Sequence, residues 1–409
     1  MVNTVLAVAI VIANAGLVVL ALGLLVPASV LLLQLAAAWP LRAPAGSAAP
    51  SSAAGRPRLA VLMPAHNEAA GIASAIEAVN AQLQAGDRLL VVADNCSDDT
   101  AAVAAAAGGQ VAQRTDATRR GKGYALDFGV RQLEVDPPEV VVVVDADCIV
   151  HGAALERLAR ACMAQQRPAQ ALYLMRSPPG AGLKTRIAEF AWAVKNHARA
   201  LGNQRLGLPC QLMGSGMAFT WAHIQAAPLA SGHIVEDLQL GLDLAARGAA
   251  PFFCPQALVT STFPASVEGL TAQRTRWEHG YLDVMFAHGP RLLRQALAGA
   301  RIGPVFSALD LCVPPLASMV LVQWGVLALT GMFLTVSHRA LPFGLSLLAV
   351  VVTALALALG WWRFGRAIVS LKDLLGVPAY MVGKIPMYLR ALRRRQVEWV
   401  RTRRDDGTR

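Results

Sequence analysis

The hydrophobic positions of the chain form long uninterrupted runs near both ends and short runs in between. Residues 4–39 are almost continuously apolar, and two further runs cover about 308–334 and 341–362. A helix that crosses a bilayer needs about 20 such residues. The first run is too long for one straight span and too short for two, so we expect one long anchor helix, with a tight hairpin as the alternative. The later runs predict two more spans.

From 58 to about 300 the pattern changes to short apolar segments that alternate with helical stretches. Residues 59–63 and 88–93 are predicted as strands, with a helix over 69–84 between them. Residues 140–144 are five consecutive valines, which predict a strand buried on both faces. This alternation is typical of βαβ units, and it predicts an α/β domain with a mostly parallel sheet covered by helices.

The pattern divides the chain into five predicted parts. They are an anchor at 1–40, a linker at 41–57, the α/β domain at 58–300, two transmembrane helices at 301–365 and a basic interfacial tail at 366–409. The arginines of the linker favour the cytoplasm for the linker and the domain, and we expect the plasma (inner) membrane as the location. The tail interleaves apolar and basic residues and holds Tyr380, Tyr388 and Trp399, which suit a membrane interface. A solvated basic tail is the alternative.

Composition supports a membrane protein. The chain has 409 residues, of which 55% are hydrophobic and 15% charged, whereas soluble proteins carry about 25% charged residues. The net charge of +11 lies beside apolar runs and without a nucleic-acid-binding module, so we expect contact with membrane lipid and no nucleic acid partner. The six cysteines form no CxxC pair, which argues against a zinc site.

Polar side chains follow the predicted strands. Asn67 and Glu68 follow the first strand, Asp94 ends the second, and Asp145 and Asp147 follow the valines. Because ligands bind at the carboxyl ends of the strands in an open parallel sheet, we expect these side chains to meet there. Two carboxylates one residue apart repel each other unless positive charge lies between them. A divalent cation bound to diphosphate oxygens would supply that charge.

Two further clusters lie later in the chain. Glu236 and Asp237 open a predicted helix that runs to about Arg247, where acidic residues also favour the helix dipole. Residues 273–277 read Gln-Arg-Thr-Arg-Trp, which an amphipathic helix with an interfacial Trp would also explain. Taken singly, each cluster is more often structural.

The order of these motifs resembles glycosyltransferase family 2. The residues concerned are Asn67-Glu68, Asp94, Asp145-Ala146-Asp147, Glu236-Asp237 and Gln273-x-x-Arg276-Trp277. They resemble in particular the membrane-bound branch that holds cellulose, hyaluronan and poly-N-acetylglucosamine synthases, over residues 59–280. The resemblance implies a GT-A fold, a nucleotide-diphospho-sugar transferase domain flanked here by N-terminal and C-terminal transmembrane helices. It also implies metal-dependent transfer of a sugar from a UDP-sugar to a hydroxyl in polysaccharide biosynthesis.

The resemblance further implies roles for single residues of the donor site. Asp94 would hold the uracil, and Asn67 and Glu68 would line the same nucleotide pocket. Asp145 would contact the nucleotide-sugar and, with Asp147, would ligate Mg or Mn. The Gly121-Lys122-Gly123 segment resembles a family segment near the donor, where Lys122 or the preceding Arg119 and Arg120 would meet phosphate.

On the acceptor side, Asp237 would be the general base, with Glu236 beside it in the substrate site. Gln273, Arg276 and Trp277 would embrace the diphosphate and the acceptor end. Gly214 and Ser215 would line the acceptor site, although Met213 stands where the synthases usually carry a Cys, which leaves the acceptor type open. A single carboxylate base with in-line displacement inverts the anomeric centre, so an α-linked donor would give a β-linked product.

Several readings stay open at this point. A processive synthase needs a channel, and therefore room for an export partner, whereas a non-processive transferase would add one sugar to a lipid-linked or other carbohydrate acceptor. A non-catalytic scaffold of the same fold is a third reading. Of the remaining residues, we expect ordinary hydrogen bonds for His66 and packing or membrane contact for Trp192 and His197. Asp310 begins an apolar span, where a lone acid is a functional candidate, although its place at the end of the span makes it cheap to expose. For His279, contact with phosphate is left open.

Overall fold

The computed structural model describes residues 2–39, 55–264, 266–297 and 302–393. Most of the predicted linker at 41–57 and the end of the predicted tail, including Trp399, lie outside these residues. The side chain of Tyr388 also lies outside what is described. The predicted boundaries of the five parts therefore stay predictions.

Among the described residues, eight strands form one mixed sheet. They are β1 (Leu59–Ala65), β2 (Arg88–Asp94), β3 (Gln110–Arg114), β4 (Val140–Val143), β5 (Ile149–His151), β6 (Ala169–Arg176), β7 (Met217–Thr220) and β8 (Phe252–Thr262). The strand order is β3-β2-β1-β4-β7-β6-β8-β5. The α/β class predicted from the alternation is confirmed.

Helices cover the sheet and continue beyond it. They are α1 (Val2–Ala37), α2 (Ile72–Asn80), α3 (Thr100–Ala106), α4 (Lys122–Leu133), α5 (Ala154–Gln165), α6 (Leu183–Ala193), α7 (Ala200–Arg205), α8 (Trp221–Gln225), α9 (Glu236–Ala246), α10 (Val267–Leu297), α11 (Ile302–Leu311), α12 (Leu316–Ser337), α13 (Leu341–Gly360), α14 (Leu371–Leu374) and α15 (Val377–Arg393), with π-helical segments at Val194–Arg199 and Trp361–Gly365.

The valine strand β4 is buried on both faces. Val140, Val142 and Val144 pack in one core cluster with α2 and α5, whereas Val141 and Val143 pack in the other with α4 and α9. All five valines are at most 1% exposed. Successive side chains of a strand point to opposite faces. A strand whose residues are all apolar must therefore pack against other elements on both faces. This double burial holds the residues after β4 in a fixed place.

The sheet is less parallel than the alternation predicts. Strands β3, β2, β1 and β4 are parallel, but β7 is antiparallel to both β4 and β6. Val143 pairs with Met217, so the start of β7 lies beside the end of β4. The reversed strand therefore brings the Gly214 segment to the same sheet edge as Asp145. A parallel β7 would have put that segment at the opposite edge.

The N-terminal apolar run is one continuous helix, α1, and not a hairpin. Its last third packs on the α/β domain, where Ala28, Leu31 and Leu35 share a buried cluster with Val194 and Ala198. A methyl group on Gly202 would lie 1.9 Å from the Gln34 carbonyl oxygen, so the two backbones approach as closely as glycine allows. The part of α1 beyond the length of one membrane span is therefore the part that packs on the domain.

A buried polar network ties α1 to the domain. The Asp310 carboxylate accepts hydrogen bonds from Arg199 at 2.9 Å, Gln34 at 2.6 Å and Asn203 at 3.1 Å. Arg199 Nε also donates to Gln34 Oε1 at 2.8 Å. Asp310 is therefore buried and paired, and not an exposed acid at the start of a span. Pro314 and Pro315 precede α12, which begins at Leu316, and they place Asp310 on the separate helix α11.

By length and composition, three helices of the described chain could cross a membrane. They run over Thr4–Ala37, Leu316–Ser337 and Leu341–Gly365. α12 and α13 carry many exposed apolar side chains, as does the first half of α1. These three candidate helices correspond to the three apolar runs, and the second begins at Leu316, later than the expected start at about 308.

The described part of the tail packs against the domain. Arg274 of α10 donates to the Tyr380 hydroxyl, and Lys384 forms a buried ion pair with Glu278. Tyr380 is therefore a contact of α10 and is half-buried beside Arg274. Its role as a membrane-interface anchor stays a prediction.

Candidate active site

A cavity of about 650 Å³ opens at the sheet edge where β1, β2 and β4 end. This size is typical of small-molecule sites. All but one of the sequence-predicted site residues line it, namely Asn67, Glu68, Asp94, Lys122, Asp145, Asp147, Gly214, Glu236, Asp237, Gln273, Arg276 and Trp277. His66 also lines it, and its Nδ1 lies 2.7 Å from the Asp94 carbonyl oxygen, the ordinary hydrogen bond that we expected.

Gly214 marks the centre of this cavity. A methyl group placed on its Cα would lie 3.3 Å from Asp237 Oδ2, 3.7 Å from Lys122 Nζ and 3.8 Å from Asp145 Oδ2. Its φ of +89° lies in the region that favours glycine. Residues from three segments far apart in sequence thus converge within a few ångströms. A side chain at position 214 would fill the space between them.

Lys122 is the cation of this centre. Its ammonium contacts the Asp145 carboxylate, lies 3.8 Å from Glu236 Oε1 and donates to the Gly214 carbonyl oxygen at 2.7 Å. Burial would lower the pKa of Lys122, but the Asp145 and Glu236 carboxylates outweigh burial and raise it, so the ammonium stays charged. Burial raises the pKa of the Glu236 carboxyl, with Lys122 opposing the shift.

The residues after β4 suit a divalent cation. Ligand atoms of Asp145, Asp147 and Cys148 all lie within 4.8 Å of one another. The buried Cys148 thiol donates to Asp147 Oδ1 at 3.5 Å, and burial raises its pKa well above the usual value, so it stays protonated. Ser261 donates to Asp147 Oδ2 at 2.8 Å and orients that carboxylate. Mg²⁺ and Mn²⁺ prefer oxygen ligands, and the two carboxylates offer them.

The loops after β1 and β2 form the far end of the cavity. Asn67 and Asn95 adopt positive φ angles of 56° and 51°, which Asn tolerates better than most residues. Asn67 Oδ1 accepts a hydrogen bond from the Ser97 backbone N–H at 2.7 Å, which joins the two loops. The Asp94 carboxylate is paired with Arg114 at 2.6 Å. This pair fixes the Asp94 side chain at the end of β2.

Helix α10 forms the opposite wall. Gln273, Trp277 and Tyr281 follow one another at intervals of four, which places them on one face of the helix, and all three line the cavity. Gln273 is 5% exposed, and its Oε1 has no hydrogen-bond partner among the residues that the structure describes. A buried acceptor of this kind suits a ligand hydroxyl.

Three residues that the sequence analysis considered for the site do not line the cavity. Ser215 does not line the cavity, because it is wholly buried and its Oγ accepts the Asp145 backbone N–H at 3.1 Å. It therefore supports Asp145 from below. Arg119 and His279 are not among the lining residues either, whereas Arg120 is. His279 lies on the flank of α10 that faces away from the Gln273–Tyr281 face.

Sequence reasoning missed the aromatic and cationic lining contributed by other elements. Trp192 was assigned to packing or membrane contact, but it lines the cavity and contacts Trp277 with ring centroids 4.8 Å apart and planes tilted by 40°. Lys195, Tyr173 and Tyr281 line it as well. Two signals pointed to them: the i, i+3 spacing of Trp192 and Lys195, and Tyr281 four residues after Trp277. His197 packs against Phe364, as expected of a packing residue.

Solved structures with similar architecture include two sugar transferases. One is the mannosyltransferase PcManGT from Pyrobaculum calidifontis in complex with GDP-Man and Mn²⁺, at 16% identity and a TM-score of 0.49, covering 85% of this chain and 99% of that one. Another is glucosyl-3-phosphoglycerate synthase from Mycobacterium tuberculosis in complex with Mn²⁺, UDP-glucose and phosphoglyceric acid, at 22% identity and a TM-score of 0.38, covering 54% of this chain and 78% of that one. A search of curated proteins found no match.

The model of the family described as glycosyltransferase like family 2 matches residues 57–280. The match covers more than half of the 409 residues and contains every motif on which the cavity depends. It also spans the entire sheet. The chain therefore belongs to glycosyltransferase family 2 and carries its GT-A-like domain.

Proposed function

We propose that this glycosyltransferase moves a sugar from a UDP-sugar to an acceptor hydroxyl, with inversion, in polysaccharide biosynthesis at the plasma (inner) membrane. The observation that carries the proposal is the convergence of Asp145, Lys122 and Asp237 around Gly214. Transfer needs a base beside the anomeric carbon and positive charge beside the departing diphosphate. Both kinds of group lie within a few ångströms of one point.

In this proposal each end of the cavity has its own task. Asn67, Glu68 and Asp94 bind the nucleotide, and Asp145 and Asp147 hold Mg or Mn against the diphosphate. A bound divalent cation would neutralise charge on the leaving diphosphate. Lys122 adds a fixed positive charge beside Asp145. Arg276 and Gln273 reach the diphosphate and the acceptor end from the α10 wall.

Asp237 is the proposed general base. Its Oδ2 lies at the centre of the cavity, and the base removes the proton of the acceptor hydroxyl as the oxygen attacks the anomeric carbon. The bond to the diphosphate oxygen breaks on the opposite side, and its electron pair leaves with UDP. A single displacement of this kind converts an α-linked donor into a β-linked product.

We place the chain, as part of this proposal, in the membrane-bound branch of the family, which holds cellulose, hyaluronan and poly-N-acetylglucosamine synthases. The Gln273-x-x-Arg276-Trp277 motif and the three apolar helices support it. The basic residues of the linker support a cytoplasmic catalytic domain. A second candidate, a single transfer to a lipid-linked acceptor, is favoured by the docking of α1 beside the cavity, which brings apolar helices close to the acceptor end.

Screening the purified full chain against several UDP-sugars, with released UDP as the readout, tests the proposal. We expect metal-dependent release with one or a few donors, abolished by a chelator and restored by Mn²⁺ or Mg²⁺. Labelled product then separates the two candidates, because a processive synthase yields polymer and a single transferase yields one addition. Absence of release with every UDP-sugar would contradict the donor assignment.

Asp147→Ala is expected to weaken UDP binding in the presence of Mn²⁺ by at least about tenfold, because one of the two proposed carboxylate ligands is lost. Titration of UDP by calorimetry, with and without Mn²⁺, measures the effect. Asp127→Ala is the matched control, because this carboxylate lies on α4 and pairs with Arg131 outside the cavity. Equal dependence on Mn²⁺ in Asp147→Ala and the unmodified chain would rule out the ligand role.

A further inference from the structure

Lys195 is a cation of the cavity that the proposed donor chemistry does not use. It lies on the π-helical segment Val194–Arg199, and such segments are frequent at functional sites. Its ammonium lies 5.3 Å from the centre of the Tyr281 ring. Within the described part of the chain, it forms neither an ion pair nor a hydrogen bond. An aromatic face therefore holds this charge in the cavity, and no carboxylate neutralises it by contact.

The two cavity lysines differ in their contacts. Lys122 contacts Asp145, a proposed metal ligand, and lies 3.8 Å from Glu236 Oε1. Lys195 forms no ion pair with either carboxylate among the described contacts. Burial lowers the pKa of Lys195, and the Asp237 carboxylate opposes this shift. In the proposed function Lys122 therefore belongs with the metal and the diphosphate, which leaves Lys195 for the acceptor.

The surroundings of Lys195 also place it near the apolar helices. Val194 and Ala198, on the same π-helical segment, pack against Leu31 and Leu35 of α1. This is the part of α1 that follows Pro27 and docks on the domain. The Lys195 end of the cavity is thus its end nearest the helix that could cross a membrane.

Further aromatic rings line the cavity near Lys195. Trp192 precedes Lys195 by three residues on the same helical face, and its ring contacts that of Trp277, with centroids 4.8 Å apart and planes tilted by 40°. Tyr173 meets Trp192 edge to face at 5.4 Å. Aromatic faces suit the C–H surface of a sugar ring or an apolar chain, whereas the single ammonium suits an anion. We call these residues (Tyr173, Trp192, Lys195, Trp277 and Tyr281) the acceptor cup.

We propose that Lys195 binds a phosphate group of the acceptor, so that the acceptor is a phosphate ester whose hydroxyl lies against Asp237. This inference rests on the proposed function, because it takes Asp237 as the base and the Lys122 side as the donor site. A charged group taken out of water without an opposite charge is costly, and a ligand phosphate would remove that cost. Lysine is an effective point charge for phosphate.

The acceptor phosphate does not change during transfer. The acceptor oxygen forms its bond to the anomeric carbon, its proton goes to Asp237, and the bond between the anomeric carbon and UDP breaks. Lys195 holds the acceptor in place while this happens. The phosphate can belong to a membrane lipid or to a water-soluble sugar phosphate, and both sources share the group that Lys195 recognises.

Lys195→Gln tests the subsite, with Lys184→Gln as the matched control. Lys184 is exposed on α6, one helix before Lys195, and its replacement removes the same charge outside the cavity. The full chain in phosphatidylcholine nanodiscs is saturated with UDP and Mn²⁺, and glycerol 3-phosphate is titrated by calorimetry. We expect Lys195→Gln to bind this phosphate roughly tenfold more weakly, the loss of one charge-assisted hydrogen bond. Lys184→Gln should bind it unchanged.

The same titrations separate this proposal from the proposed function. UDP with Mn²⁺ should bind with equal affinity to all three proteins, which also shows that Lys195→Gln is folded. Failure of UDP to bind to the unmodified chain would overturn the proposed function. Normal UDP binding, with glycerol 3-phosphate bound equally by Lys195→Gln and the unmodified chain or by neither, would overturn the phosphate subsite alone.

A second set of nanodiscs distinguishes the two phosphate sources. Phosphatidic acid is included among the lipids, and the glycerol 3-phosphate titration is repeated. If a lipid phosphate reaches Lys195, its competition weakens glycerol 3-phosphate binding to the unmodified chain and leaves Lys195→Gln unaffected. If binding to the unmodified chain does not change, the subsite serves a water-soluble phosphate ester. Either result is consistent with the phosphate subsite, and it identifies the source of the phosphate that Lys195 binds.

Discussion

Asp237→Asn is expected to lower the rate of sugar transfer by about 10² to 10⁴-fold, the contribution that general bases make in enzymes. The amide keeps the size of the side chain but cannot take the proton of the acceptor hydroxyl. Of the atoms around the space beside Gly214, Asp237 Oδ2 is the nearest at 3.3 Å, and Asp145 Oδ2 follows at 3.8 Å. Asp145 is itself engaged by Lys122.

Donor binding shows whether Asp237→Asn has lost only the general base or the whole binding site. UDP with Mn²⁺ should bind to Asp237→Asn within about a factor of two of the unmodified chain, because Asp237 is not placed among the nucleotide or metal groups. Asp243→Asn is the control, since Asp243 is on the same helix α9 and does not line the cavity. Transfer by Asp237→Asn above a tenth of the normal rate would show that another group is the base.

Asp310→Ala is expected to destabilise the protein by about 3–5 kcal/mol, the usual cost of removing one partner of a buried ion pair. Asp310 is 8% exposed and Arg199 is 5% exposed, so the guanidinium would lose its carboxylate without gaining water. Gln34 and Asn203 would lose the same acceptor. The midpoint of thermal unfolding of the purified full chain should fall by roughly 5–10 °C.

Two further variants show whether charge is the reason for this loss. Asp283→Ala removes an exposed carboxylate from α10 and should leave the midpoint within about 1 °C. The double variant Arg199→Met/Asp310→Leu removes both charges and fills their space with apolar atoms, so it should regain at least half of the loss. A double variant less stable than Asp310→Ala would show that the hydrogen bonds of Arg199, and not its unpaired charge, dominate.

This network explains why the N-terminal helix belongs to the catalytic domain as well as to the apolar part of the chain. Gln34 of α1 bonds to Arg199 and Asp310, and Arg199 is on the same π-helical segment as Lys195. Tyr281 of the α10 wall donates to the Val313 carbonyl oxygen at 3.0 Å, directly after α11. One side of the cavity is therefore built on contacts with α1 and with the segment that leads to α12.

The sequence by itself determined the α/β class, the strand edge and the residues of the proposed donor half of the site. Local patterns carry this information, because the valines of β4 require burial on both faces and polar residues directly after buried strands must lie at a sheet edge. Asp94, Asp145 and Asp147 could be located in that way. The family motif then added Asp237 and the Gln273–Trp277 wall, which periodicity alone did not connect to the strands.

Only the tertiary structure decided which residues form the proposed acceptor half and where α1 packs. The antiparallel pairing of β7 is a long-range choice, and it sets Gly214 against Asp145 while it buries Ser215 beneath it. The local sequence around Lys195 and Asp310 does not show what these side chains face. Their places follow from the packing of α1, α10 and α11 around the π-helical segment. The contacts concerned join Arg199 to Asp310, 111 positions apart, and Lys195 to Tyr281, and contacts so distant in sequence leave no periodic signal in the chain.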